Sequence, residues 1–256
     1  MPLVHDETGT GRPVVLLHAF PLCRALWAPQ HAGLSGCRLL TPDLPGFGDS
    51  PLLDGTPTVD AFADAVAGWL DQLGIHQPVV LGGLSMGGYV CFAFVRRHAH
   101  RLAGLILADT RAEADDDTAR ANRDRLIGFA ATNPAHAVIE QMLPRLLGAS
   151  TLADQPAIVE RVRSLGAAQR PAGILAALQL LRNRPDSTPT LASIRVPTLV
   201  LVGREDVLTP PSLAEQMVAR IPQARLAVIE KAGHLANIEQ PDAFNRAVAG
   251  FLQDLK

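Results

Sequence analysis

The sequence predicts an α/β fold: a mostly parallel sheet flanked by helices and interrupted by a helical cap insertion. Short apolar runs alternate with helical periodicities from about residue 14 to 108 and again from 198 to 255. Between these two blocks lies a long stretch with helical periodicity and no strand signal. Strands covered by helices on both faces must be almost continuously apolar, and the crossover helices must carry one apolar stripe, which is the pattern seen here.

After an N-terminal arm with a turn at Gly9 and Gly11, Val14 to Leu17 is an apolar run closed by Pro21. A second strand, Arg38 to Thr41, runs into Pro42, Pro45, Gly46 and Gly48, a composition that only a loop accommodates. From Thr58, the apolar residues Val59, Phe62, Val66, Trp69, Leu70 and Leu73 recur at helical spacing. Thr58 is placed to cap that helix and Gly74 to end it. Strand Val79 to Leu81, a helix from Met86 to His98 and strand Leu102 to Ala108 follow. The helices expected next are Thr118 to Ala131, Ala135 to Leu147, Ala157 to Ala168 and Ala172 to Arg184, separated by Pro134, Gly148, Pro156 and Pro171. Strand Thr198 to Val202, a helix over Leu213 to Arg220, strand Arg225 to Ile229 and a closing helix from Pro241 to Leu255 complete the chain. The expected organisation is one α/β core, residues 1–110 and 195–256, carrying a cap over 111–194.

The bulk properties narrow the function. A chain of 256 residues, 48% of them hydrophobic, holds one large core rather than two full domains. A net charge of -2 offers no basic surplus for a phosphate backbone, so nucleic acid is not an expected partner. No charged n-region precedes an apolar stretch and no apolar run reaches membrane-spanning length, so the expectation is a soluble, cytoplasmic protein with no membrane partner. Cys23, Cys37 and Cys91 are scattered and odd in number, which reads as reduced packing residues rather than a metal or redox set. The mean hydropathy of +0.16 fits either a deep core or a self-association face, leaving a homo-oligomer open.

The chemistry concentrates at Leu81-Gly82-Gly83-Leu84-Ser85-Met86-Gly87-Gly88, a Gly-x-Ser-x-Gly string between an apolar strand and a helix. A serine on such a tight turn needs small residues two before and two after it, here Gly83 and Gly87. The helix that begins there aims free N–H groups at the reacting centre, so the Met86 N–H is the expected first oxyanion donor. A serine hydroxyl is a weak nucleophile until an imidazole takes its proton and a carboxylate orients that imidazole. His234 lies in a Gly-flanked loop after a late strand, and Asp206 follows the strand Thr198 to Val202 in Gly203-Arg204-Glu205-Asp206. The candidate triad is therefore Ser85 as nucleophile, His234 as base and Asp206 as orienting acid, with no metal and no cofactor.

Several motifs resemble the α/β-hydrolase superfamily along nearly the whole chain. His18-Ala19-Phe20-Pro21 resembles its oxyanion-loop motif, which implies the Phe20 N–H as second donor, with Ala19 where a glycine is common. Asp43-Leu44-Pro45-Gly46-Phe47-Gly48-Asp49-Ser50 resembles the loop after the next strand, and Val196 to Gly203 the acid-bearing strand. The short chain, helical cap and Pro-Gly-Phe-Gly loop look most like the small carboxylesterases and the 3-oxoadipate enol-lactonase-like group. The resemblance implies a serine hydrolase acting on a small-molecule ester or lactone.

Competing readings attach to several residues. Asp109 also ends a strand, at an edge where some relatives of this fold carry their acid, but followed by Thr110 it reads as a cap or hinge residue. His18 suits bracing of the oxyanion loop better than base catalysis. Leu22 and Trp27 are the expected substrate-binding side chains, set against a plain core role. Glu205 and the run Asp115 to Asp117 read as solvated. Arg182 and Arg184 read as surface positions rather than ligands of a substrate carboxylate. Leu143, Leu147, Ile174, Leu175 and Leu178 suggest a largely hydrophobic lid. The alternatives to ester cleavage are other acyl transfer or C–C bond hydrolysis on the same triad, or a non-enzymatic ligand receptor of the same fold.

Overall fold

Short apolar runs become strands because their side chains can be buried on both faces at once. The computed structural model describes residues 2–255. Its strands are β1 (His5–Thr8), β2 (Pro13–Leu17), β3 (Arg38–Pro42), β4 (Val79–Leu84), β5 (Leu102–Ala108), β6 (Thr198–Gly203) and β7 (Ala224–Ile229). They form one sheet in the order β1-β3-β2-β4-β5-β6-β7, with β1 antiparallel to β3 and every other neighbouring pair parallel. Every residue of β2, β4 and β6 is buried, whereas the edge strand β1 is mostly exposed. That edge escapes the apolar pattern because His5 to Thr8 has water on its faces, so no run of hydrophobic residues announces it.

Alternate residues of each strand feed opposite cores. Val15, Leu17, Leu81, Leu107 and Val200 pack beneath α2 (Val59–Gln72), α3 (Met86–His98) and α10 (Pro211–Arg220). Val14, Leu16, Val80, Ile106 and Leu199 pack instead against Trp27, at the start of α1 (Ala28–Gly33), and against Phe244, Val248 and Phe251 of α12 (Pro241–Asp254). The caps follow the local chemistry: the Thr58 hydroxyl accepts from the Ala61 N–H at 3.1 Å, and Gly74 takes φ 68° past the end of α2.

Between β5 and β6 the chain builds only helices: α4 (Asp117–Thr132), α5 (Ala135–Leu146), α6 (Ala149–Asp154), α7 (Pro156–Ala167), α8 (Pro171–Asn183) and α9 (Thr188–Leu191). The four long ones match the periodicity; α6, α9 and α11 (Ala236–Glu239) are single turns too short to register as a period. The order of strand addition reverses at β2, with β3 on one side of it and β4 on the other, so the loops after β2 and β4 diverge and leave a crevice at their carboxyl ends. The helical segment is fastened over that crevice. Gln169 Oε1 accepts from the Gly48 N–H at 3.0 Å, and Arg170 donates to the Ser50 carbonyl. Gly173 of α8 lies so close to the loop after β3 that an added Cβ would stand 2.0 Å from the Gly46 oxygen.

Gly173→Ala therefore pits two effects of opposite sign against each other. Helix propensity favours alanine by up to about 1 kcal/mol, whereas overpacking against backbone costs roughly 1–3 kcal/mol. The steric term wins, and the melting temperature falls by several degrees, on the scale of about 2–4 °C per kcal/mol. A melting temperature that rises instead would refute the close approach of α8 to Gly46.

Candidate active site

Ser85 sits between the last residue of β4 and the first of α3, at φ 53° and ψ -109°. A non-glycine residue held there costs on the order of 1–3 kcal/mol, so the surroundings must enforce it. Its N–H donates to the Ala108 carbonyl at 2.9 Å, and its own carbonyl accepts from the Gly88 N–H and the Thr110 hydroxyl, each at 2.9 Å. The flanking glycines are steric necessities. A Cβ on Gly83 would lie 2.2 Å from the carbonyl carbon of Gly87, and one on Gly87 would lie 2.3 Å from the Leu17 oxygen. The turn leaves Ser85 partly accessible while both neighbours are buried.

Three loops at the carboxyl ends of β4, β6 and β7 bring the polar side chains together. His234 Nε2 is 2.8 Å from Ser85 Oγ, and His234 Nδ1 is 2.8 Å from Asp206 Oδ2. Asp206 Oδ1 accepts from the N–H groups of Leu208 at 2.8 Å and Thr209 at 3.0 Å, while the Thr209 hydroxyl donates to Oδ2 at 2.6 Å. Burial alone would raise the Asp206 carboxyl, but attraction to His234 and these donors hold it below the usual carboxylate range. Asp109 behaves in the opposite way. It is fully buried at φ 43°, accepts from the N–H groups of Gly203 and Ala236, and has no bond to His234. Burial, reinforced by the negative charge of Asp206, drives its carboxyl well above the usual range.

The loop after β2 is locked by His18. The Leu44 N–H donates to His18 Nε2 at 2.9 Å, so that nitrogen keeps its lone pair and the ring proton sits on Nδ1, which donates to the Ala19 carbonyl at 3.0 Å. The Leu22 N–H bonds the same carbonyl at 2.9 Å. Burial holds the His18 ring below its usual value and so favours this neutral form. Because a peptide unit is planar and trans, fixing the Ala19 carbonyl fixes the opposed Phe20 N–H. Phe20 lines the cleft beside Ser85. Met86 opens α3, so its N–H lies in the first turn, where donors have no intrahelical acceptor.

Two buried or half-buried glutamates tie the site's loops to the helical segment, Glu239 from the histidine loop and Glu205 from the loop after β6. Glu239 Oε1 accepts from the N–H groups of Gly233 and Leu235, on either side of His234, at 2.9 and 3.1 Å. Its Oε2 accepts from the Gly148 N–H, just before α6, at 2.7 Å. Glu205, expected to be solvated, instead receives the N–H of Ser150 at 2.8 Å and its hydroxyl. Glu239 escapes sequence reading; the only signal is an acidic residue within a turn of the histidine loop.

The cleft above Ser85 and His234 has a volume of about 570 Å³. Leu22 and Trp27, expected to line it, do not: both are buried in the core on the α12 side, with Trp27 6.1 Å from the Phe244 ring. Their nearness to Phe20 in sequence is undone by the turn Ala19 to Leu22, beyond which the chain enters the core. The hydrophobic lid needs a similar correction. Leu143, Leu147, Ile174 and Leu178 pack down onto the core, and the cleft wall mixes Leu126, Phe129, Met142 and Leu146 with arginines. Asp115 is not solvated but buried, 2.8 Å from Arg184, which itself lines the cleft; Arg182 is exposed and paired with Asp124.

The chain matches the family model described as the alpha/beta hydrolase fold over residues 12–241. A thermophilic esterase from Thermogutta terrifontis, solved with malate bound, superposes with a TM-score of 0.96 at 43% identity, covering 99% of this chain and 93% of that one. The enol-lactonase from Burkholderia xenovorans LB400 gives 0.90 at 29% identity, covering 98% and 96%. A 2-hydroxy-6-oxononadienedioate/2-hydroxy-6-oxononatrienedioate hydrolase from Burkholderia vietnamiensis is 29% identical over 97% of this chain and 90% of its own length. With the family's fold, strand order and Gly-x-Ser-x-Gly turn all in place, the chain belongs to the α/β-hydrolase fold family and is a hydrolase.

Proposed function

We propose that the protein hydrolyses carboxylic esters, lactones included, through an acyl-enzyme on Ser85. The observation that carries this reading is the unbroken chain of hydrogen bonds from Ser85 Oγ through His234 to Asp206. Ser85 Oγ attacks the ester carbonyl as its proton passes to His234 Nε2, and the N–H groups of Met86 and Phe20 receive the developing oxyanion. Collapse expels the alkoxide, which takes the proton from His234; in a lactone that alcohol stays tethered to the acyl chain. Water then attacks the acyl-enzyme, gives its proton to the same imidazole, and the acid departs as Ser85 is restored. The helical segment over the crevice acts as the cap that selects substrate.

A second reading, C–C bond hydrolysis, is favoured by the dioate hydrolase of Burkholderia vietnamiensis among the relatives. The same serine and base would act on a vinylogous diketone in place of an ester. A side-by-side assay of 4-nitrophenyl esters and a ring-cleavage diketone decides between the two, and ester turnover the faster by orders of magnitude is the expected result.

Ser85→Ala lowers kcat/KM for 4-nitrophenyl butyrate by about 10⁴-fold or more while leaving the melting temperature unchanged; activity retained in that variant would end the assignment. Because Asp206 is held below the usual carboxylate range, it stays ionised throughout the working pH range and adds no step to the acid side of the pH profile. The acid limb of log kcat/KM against pH therefore has unit slope, and a limiting slope of two would show that a second group must ionise. Glu239→Gln replaces one accepting oxygen with a donor facing N–H groups, leaving a conflict of about 1–3 kcal/mol. The expected result is a lower melting temperature and a kcat loss of roughly tenfold with KM little changed, as His234 is held less firmly; an unaltered kcat would deny Glu239 any role in positioning it.

A further inference from the structure

The wall of the cleft carries more charge than ester hydrolysis requires. Arg111, Arg123, Arg125, Arg145 and Arg184 all line it, against the single carboxylate of Asp115. Asp115 is already shared, bonding Arg184 at 2.8 Å and Arg123 at 3.1 Å. Arg184 is spent on structure: it donates to the carbonyls of Leu181 at 2.9 Å and Glu113 at 3.0 Å and lies over the Tyr89 ring. Arg125, on α4, and Arg145, on α5, form no ion pair within 4.0 Å among the described residues.

The bland reading of an exposed arginine is a solvated side chain, and it fits Arg161, Arg195, Arg220 and Arg246, which are exposed; what sets Arg125 and Arg145 apart is their place on the wall of the cleft that holds Ser85 and His234. Arg125 and Arg145 add two positive charges, with no carboxylate within 4.0 Å among the described residues, to the wall of a partly enclosed space where repulsion is less screened than in open water. Such an arrangement is costly in the empty protein and is relieved when an anion enters. A planar guanidinium matches a carboxylate in two parallel hydrogen bonds, a geometry lysine cannot offer.

We propose that Arg125 and Arg145 bind a carboxylate carried by the substrate away from the scissile bond, so that the preferred substrates are monoanions: half-esters of dicarboxylic acids and lactones bearing a free acid. This inference rests on the ester-hydrolase reading of Ser85. It also has a consequence for release. Hydrolysis of a half-ester creates a dianion in a positively charged cleft, so the dicarboxylate product competes with substrate.

The test compares the 4-nitrophenyl monoester of adipic acid with its methyl 4-nitrophenyl diester, which share chain and leaving group and differ by one charge. The monoanion shows kcat/KM higher on the order of tenfold at low ionic strength, a ratio that shrinks as salt is added. Arg125→Gln with Arg145→Gln brings the ratio toward one. Titration of adipate into the Ser85→Ala protein reads the same wall without any turnover, and binding that is lost in the arginine variants supports the proposal. A ratio at or below one, insensitive to salt, or no adipate binding, overturns it. Adipate binding with neither ester cleaved upholds the anion site and instead rejects the ester-hydrolase reading.

Discussion

Everything in this site is built around one backbone constraint: a serine forced into positive φ where β4 becomes α3. That turn points the hydroxyl into the crevice and places the first amides of α3 beside it, so hydroxyl and amides come from a single local geometry. The same turn accounts for the rigidity of its surroundings. Gly83 and Gly87 are glycines because backbone occupies the space a Cβ would need, and Thr110 bonds the carbonyl of the strained residue. The His18 ring performs the matching service for the Phe20 N–H by holding one peptide plane between β2 and the loop after β3.

The electrostatics around His234 follow from burial among acids. Asp206, Asp109 and Glu239 all lie in the interior near the ends of β5, β6 and β7, but only Asp206 bonds the imidazole. Placing full negative charge on all three in a low-dielectric interior would be costly, and burial pushes Asp109 and Glu239 upward while the histidine holds Asp206 down. Two carboxyls that resemble one another in sequence, each closing a strand, are thus separated in role by which one faces the ring.

The central strands, the long helices and the grouping of Ser85, His234 and Asp206 were legible in the sequence because each has a local signature: an apolar run, a period, a Gly-flanked serine or histidine. What escaped notice lacks one. β1 is an exposed edge, α6 and α9 are single turns, and Glu239 acts through loops close only in space. Leu22 and Trp27 misled because proximity in sequence was taken for proximity to the crevice, whereas the chain turns away between Phe20 and Leu22. Asp115 and Glu205 misled for a related reason: an acidic residue in a loop is solvated by default, and only the fold reveals the arginine or the helix start that buries it.

The fastening of the helical segment has an implication for modularity. It leaves the sheet at Thr110, in contact with the strained serine, and is tied down again at residues 148–150 by two glutamates and at 169–173 by the loop after β3. The stretch carrying Arg123, Arg125 and Arg145 lies between the first and second of these ties. An exchange of this stretch between relatives would therefore splice after Thr110 and before Gly148, replacing that part of the cleft wall while leaving the histidine's moorings in the recipient intact.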